Sequence, residues 1–226
     1  DPHSCCTSCG NNDVKVEQDL GLVRGVYNDQ KTTIQGIRLN DVSLDTKSYK
    51  IPNVGSIAGT VLSKTGVVLD DNQTTNVRIS NVGGNAGGHV GYATVDDGTG
   101  DIKLTNSLVK IQKDETDVTE TYVKTVGDNA GGFIGFADAN KGKVSAETNV
   151  VALDEVSADK GSNVGGIAGQ LNYGKTASLI NTASVTIPVL KATELAKEAT
   201  NATRLNVNSG NNVGGLVGYL WNDNIA

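Results

Sequence analysis

The chain has 226 residues, 37% of them hydrophobic, enough for one large all-β domain or two small ones around a core of moderate size. Its 19 Lys plus Arg stand against 25 Asp plus Glu, a net charge of −6, and no window gathers basic residues beside aromatics, so nucleic acid and anionic membranes are not the expected partners. No run approaches the roughly 18 apolar residues of a membrane-spanning helix, and no membrane span is expected. Glycine is the outlier, at 28 residues, while proline (3) and methionine (0) are scarce, so the backbone is expected to turn tightly and often.

The first segment, residues 1–12, reads as a polar, pattern-free arm. With no methionine in the chain, Asp1 is not a translation start, and a removed secretion signal would account for it. The arm holds all three cysteines, Cys5, Cys6 and Cys9. In an oxidising exterior three thiols cannot all pair within one chain, and neighbouring Cys5 and Cys6 make a strained bridge with each other, so the arm is expected to cross-link subunits. The competing reading joins His3 to the three thiolates as a zinc site, at a spacing tighter than usual knuckles; no metal is expected.

Residues 13–226 read as a single β-repeat domain. A phrase N-[VA]-G-[GS]-x-[AVI]-G occurs five times, as Asn53 to Gly59, Asn85 to Gly91, Asn129 to Gly135, Asn163 to Gly169 and Asn212 to Gly218. Its first framing glycines are Gly55, Gly87, Gly131, Gly165 and Gly214, and its second are Gly59, Gly91, Gly135, Gly169 and Gly218. A degenerate sixth copy, Gly21-Leu22-Val23-Arg24-Gly25, keeps two framing glycines without the asparagine. Between copies, Gly100–Asn106, Gly142–Asn149 and Gly174–Asn181 each open on a turn glycine followed by alternating apolar residues, and Asn76–Ile79, Glu120–Lys124 and Leu205–Val207 lie just before the next phrase. One unit is therefore expected to hold two or three short strands. Inserted loops fall at about 107–124 and 188–208, the second containing a helix-favouring stretch, Lys191–Thr200.

Glycine pairs let one chain segment pass close to the segments above and below it. The asparagine can pair its side-chain amide along the stack or take a positive-φ corner. A unit of this size cannot bury an apolar face alone, so copies must stack. The fold class is all-β, a β-solenoid of stacked short strands with Gly-rich corners, with a β-sandwich or jelly roll as the alternative. Five glycines of the first column are expected to align on one axis, and both ends of the array to lie open for end-to-end association.

The phrase V-G-G-[LI]-[VA]-G, followed by an aromatic, a turn and a G-x-[IV]-x-x-[TI]-N strand, resembles the GLUG repeat over roughly Gly21 to Leu220, with Asn163 to Asn181 the best copy. Framing aromatics are present as Tyr92, Phe136 and Tyr219, with Thr60 and Gln170 in the other copies, and the last copy stops at Ala226 before its second strand. GLUG repeats are found in large secreted and surface-anchored bacterial proteins, including adhesin-like proteins and non-catalytic parts of some immunoglobulin-A-cleaving metalloproteases. The resemblance implies an extracellular scaffold and carries no enzymatic chemistry.

Candidate chemistry is sparse. His3 and His89 lie in no H-E-x-x-H or G-x-S-x-G context, and His89 occupies a variable slot that reads as a surface or packing position. The carboxylates of Asp70-Asp71-Asn72 and Asp114-Glu115 read as exposed turns. Asp96, Asp97 and Asp101 offer oxygen ligands that Ca²⁺ could use but lack the spacing of a dedicated loop, and no cofactor is expected. Asn72 and Asn201 begin glycosylation sequons where loops are expected. No enzyme is expected. The chain is read as an extracellular structural protein of a bacterial surface, an adhesin stalk or self-assembling fibre subunit with a disulfide-linked arm. The alternatives are a host- or carbohydrate-binding recognition module and a non-catalytic fragment of a larger secreted enzyme.

Overall fold

A computed structural model describes residues 18–96, 100–110, 120–139, 142–147, 149–159, 163–173, 204–207, 212–214 and 217–222. The described residues form 24 short strands and no helix. Every strand pairing is parallel, and each strand pairs with the equivalent strand one turn away rather than with its neighbour in sequence. That topology is a β-solenoid, and it excludes the sandwich, whose sheets are built from antiparallel neighbours.

The solenoid has five faces. The first holds Val23–Asn28, Ala58–Ser63, Val90–Val95, Ile134–Asp138, Ala168–Tyr173 and Val217–Asn222. The second holds Thr32–Gln35, Val67–Asp70, Ile102–Thr105 and Val144–Glu147. The third holds Arg38–Leu39, Gln73–Thr75, Leu108–Lys110 and Val150–Ala152. The fourth holds Ser43–Asp45, Arg78–Asn81, Tyr122–Thr125, Glu155–Ala158 and Arg204–Val207. The fifth is the start of the repeated phrase: Asn53–Gly55, Asn85–Gly87, Asn129–Gly131, Asn163–Gly165 and Asn212–Gly214. One unit thus holds five strands where the sequence pattern indicated two or three, because strands of two to four residues are too short to show alternation on their own.

Inward-facing residues stack in columns. Val67, Ile102 and Val144 form one, Leu69, Leu104 and Ala146 another, and Ile79, Val123 and Val156 a third, all nearly inaccessible to solvent. Each coil contributes one layer of a single continuous core, and no coil could bury its layer alone. The corners between faces need the left-handed region. At the second-to-third corner it is occupied by Gly36 (φ 70°), Asp71 (φ 49°) and Asn106 (φ 51°), and at the third-to-fourth corner by Asp41 (φ 54°) and Asn76 (φ 51°). Glycine has no Cβ to clash there, and Asn and Asp tolerate the region because their short polar side chains bond locally.

The glycine columns form as expected. Gly55, Gly87, Gly131, Gly165 and Gly214 are successive register partners along the fifth face. The degenerate copy is different. Leu20 bridges Val54, which sets Gly21 opposite Gly55, but Val23 and Gly25 pair with Ala58 and Thr60. The first coil therefore has one residue fewer at this corner, so Gly25 misses the second glycine column, Arg24 stands opposite Gly59, and Asp19 holds the asparagine position.

Leu108–Lys110 and Tyr122–Thr125 are both strands of the coil, so the first insertion lies between them. The expected strand in Gly174–Asn181 and the Lys191–Thr200 helix lie outside the described residues.

Gly165 keeps an ordinary φ, so its constraint is steric. A Cβ there would strike the carbonyl oxygen of Ala168 and come within 2.7 Å of the Gly218 nitrogen of the next coil. Gly165→Val should cost about 3 kcal/mol or more, read as a fall in urea midpoint at unchanged m-value; unchanged stability would refute the close approach.

Candidate functional site: the asparagine ladder and its groove

The five phrase asparagines stand one above another and join through their side chains. Asn85 Nδ2 donates to Asn53 Oδ1 at 2.8 Å, Asn129 Nδ2 to Asn85 Oδ1 at 2.7 Å, Asn163 Nδ2 to Asn129 Oδ1 at 2.6 Å, and Asn212 Nδ2 to Asn163 Oδ1 at 2.8 Å. All four bonds point the same way, each amide donating to the coil before it. At the first coil the row ends on a carboxylate: Asn53 Nδ2 donates to Asp19 Oδ1 at 3.1 Å, and the Thr60 hydroxyl bonds Asp19 Oδ2. Aligned amide dipoles polarise one another, so the row is stronger than isolated pairs. Asn129 and Asn163 are each only 4% exposed, where an unpaired amide would be costly.

Seven residues beyond each asparagine, on the outer side of the first face, runs a second column: Thr60, Tyr92, Phe136, Gln170 and Tyr219. Where it is polar it meets the ladder, through Asn53 Nδ2 to Thr60 Oγ1 at 3.1 Å and Asn163 Nδ2 to Gln170 Oε1 at 3.3 Å. Where it is aromatic the rings pack on each other, with Tyr92 and Phe136 centroids 5.1 Å apart at 37°. Burial raises the Tyr92 hydroxyl above its ordinary pKa. Between the two columns lies a groove of about 440 Å³, lined by the ladder amides, both rings, Gln170 and Asp128. Amide edges, apolar rings and one carboxylate suit a neutral, hydrogen-bonding ligand better than an ion.

The other sequence candidates fall elsewhere. His89 lies at the corner between the fifth and first faces, fully buried, its ring 4.9 Å from that of Phe133 in the next coil. Its Nε2–H donates to the Leu108 carbonyl at 3.2 Å, and Nδ1 is buried without a hydrogen-bond partner. Burial drives its pKa down to about 3, so the ring is neutral and serves as packing. Asp70 accepts from the Thr105 hydroxyl at 2.8 Å and the Asn106 amide at 3.0 Å, which hold its carboxyl below the usual range.

Asn72 was read as a loop sequon, yet it is 1% exposed. Its Nδ2 donates to the Ile34 carbonyl and its Oδ1 accepts from the Ile37 amide, so no glycan fits there. Asp101 Oδ1 accepts from the Lys143 amide at 3.1 Å, and Asp97 lies outside the described residues, as do His3, Cys5, Cys6, Cys9 and Asn201. Among the described residues no three of His, Cys, Asp and Glu converge as metal ligands. Sequence reasoning did not single out Asp19: it stands two residues before Gly21, as Asn53 stands before Gly55, but is not an asparagine, and only the register shows that it takes the asparagine's place; Asp128 likewise gains its place only from register.

Comparison with protein-family models gave no match, and comparison with curated proteins and with solved structures gave none either.

Asn129→Asp keeps the shape but removes the donor to Asn85 and buries a charge, which should cost about 3 kcal/mol at neutral pH. Because burial raises the introduced carboxyl's pKa, the deficit against wild type should shrink as the pH falls and protonation removes the charge and returns an O–H donor; a pH-independent deficit would refute this account of the ladder.

The folded His89 titrates near 3 and an unfolded histidine near 6.5, so the unfolded chain takes the proton first as the pH falls. This residue's contribution is complete above pH ~6.5 and drains away toward pH ~3 at about 1.4 kcal/mol per unit. His89→Leu should flatten the stability curve over that window, as measured by denaturant titrations at several pH values.

Proposed function

We propose that the chain is an extracellular structural protein of a bacterial surface, a repeat scaffold that acts as an adhesin stalk and is joined to its neighbours by disulfides from Cys5, Cys6 and Cys9. The observation that supports this is how the recurring residues are used. Each phrase asparagine is joined to its neighbour along the stack, and a side chain on the phrase glycines would collide with backbone of their own or an adjacent coil. What repeats in this chain is therefore the means of holding coil on coil, and a protein whose recurring residues all serve stacking is built for extent and rigidity. The net charge of −6 and the resemblance to GLUG repeats fit an exterior setting.

A second reading, the recognition module, is favoured by the groove beside Tyr92 and Phe136, whose amides and rings suit a carbohydrate. Saturable binding on a glycan array, abolished by Tyr92→Ala with the fold intact, would replace the scaffold reading with this one.

Antibody raised against the chain should label intact producing cells. Labelling only after permeabilisation would overturn the exterior location. The purified 226-residue chain, oxidised in air, should run as a ladder on non-reducing gels and collapse to 23.4 kDa with reductant. A single monomer band in both lanes would overturn the cross-link.

A further inference from the structure

The two glycine columns serve different neighbours. The second glycine of each phrase makes room for the coil before it. A Cβ on Gly91 would lie 2.5 Å from the Val54 nitrogen, one on Gly135 2.8 Å from the Ala86 nitrogen, one on Gly169 2.8 Å from the Ala130 nitrogen, and one on Gly218 2.6 Å from the Val164 nitrogen. In each case the obstacle is the fifth-face strand of the preceding coil. Side-chain carbons do not approach backbone that closely, so glycine in this column marks a coil with another lying against its N-terminal side. On Gly59 a Cβ would meet the first coil itself, striking Asp19 and coming 2.8 Å from the Leu20 nitrogen.

In the first coil this position is Arg24, opposite Gly59 and exposed. An arginine there occupies the space that a preceding fifth-face strand would need. The ladder agrees. Each asparagine donates toward the N-terminal side, so a preceding coil would present an Oδ1 acceptor that residue 19 would have to meet with a donor. Asp19 has none to give: its carboxylate already accepts from Asn53 and Thr60 and would face a further acceptor. The shortened corner between Gly21 and Val23 departs from the phrase at the same place.

We propose that the first coil is a built-in terminator. Its N-terminal face rejects another coil in the same register, so copies of this chain do not stack head to tail into a continuous solenoid. Head-to-tail contacts that fail to close make open filaments, and Arg24 and Asp19 prevent that route. Any association of copies must then use other contacts, such as covalent links from the arm. The inference narrows the scaffold reading and rests on it only for the expectation that copies meet.

The test compares the full chain with a variant in which Asp19→Asn and Arg24→Gly are combined with one serine inserted after Gly21, restoring the phrase. Both are held under reductant at high concentration and followed by sedimentation velocity and negative-stain imaging. Wild type should stay as short particles and the variant should grow into rods of many stacked copies. Wild-type rods of stacked copies, or a folded variant that stays short, would overturn the proposal.

Should the variant not fold, single substitutions decide. Arg24→Gly should leave the melting midpoint within about 2 °C, while Gly91→Arg, at the equivalent position of an internal coil, should lower it by roughly 10 °C or more. Equal effects would show that the column does not distinguish a coil with a predecessor from one without. Arg24 does not line the groove, and Gly91→Arg, which sits beside the groove residue Tyr92, is read only through the melting midpoint, so failure here leaves the scaffold reading standing, and failure of surface labelling leaves this one standing.

Discussion

The architecture depends on how closely one coil's backbone must pass the next at the corner where the fifth face turns into the first. Parallel strands in register sit about 4.8 Å apart, and at this corner the chain reverses direction while still touching both neighbours. Only a residue without a Cβ leaves enough space, which is why two glycines frame every internal phrase. Once that corner is set, the asparagine two residues earlier and the apolar residues between the glycines take fixed positions, and the other four faces follow in register. The wide spread of phrase spacing does not disturb this: Asn85 still pairs with Asn129, and Asn163 with Asn212.

The ladder adds direction to that stack. A row of backbone hydrogen bonds in a parallel sheet is satisfied from both sides, but a row of side-chain amides has a donor end and an acceptor end. Asp19 sits at the end where a carboxylate is compatible, receiving without giving. The same group in the middle of the row would leave two acceptors facing each other, so its position at the first coil is the one place in the ladder where an acid stabilises. Polar order and glycine order thus change together at the same coil.

Much of this was legible from residues alone, because the phrase repeats with fixed internal spacing: asparagine, glycine two positions on, glycine four beyond that, and the outward column one further. The stacking of Gly55 to Gly214 and the pairing of the asparagine amides follow from that regularity. The first coil was not legible, since Gly21 and Gly25 reproduce the internal spacing of Gly55 and Gly59 while the chain between them is one residue out of step. The shortened corner sets Arg24 rather than a glycine opposite Gly59, and the pattern stops being informative where the register shifts. The third face was hidden for a different reason. Arg38–Leu39 and Gln73–Thr75 are too short for alternation, and their corners are turned by Asp41 and Asn76 in place of the glycine that usually announces a turn. Asn72 looked like a surface sequon because nothing local reveals that both ends of its side chain are taken by the coil before it.

The corner after the third face joins Thr75 to Arg78, and Ala152 to Glu155, by two residues each, yet in the coil between them the chain leaves at Lys110 and returns at Tyr122 with the fourth-face register intact. Lengthening a connection raises the entropic cost of closing it only as the logarithm of its length. A solenoid whose order is held by contacts between successive coils can accept extra sequence at such a corner with little effect on the layers on either side. Length and composition at these exits are therefore free to diverge between otherwise superimposable coils, giving the fold a set of addresses at which novelty can accumulate without renegotiating the core.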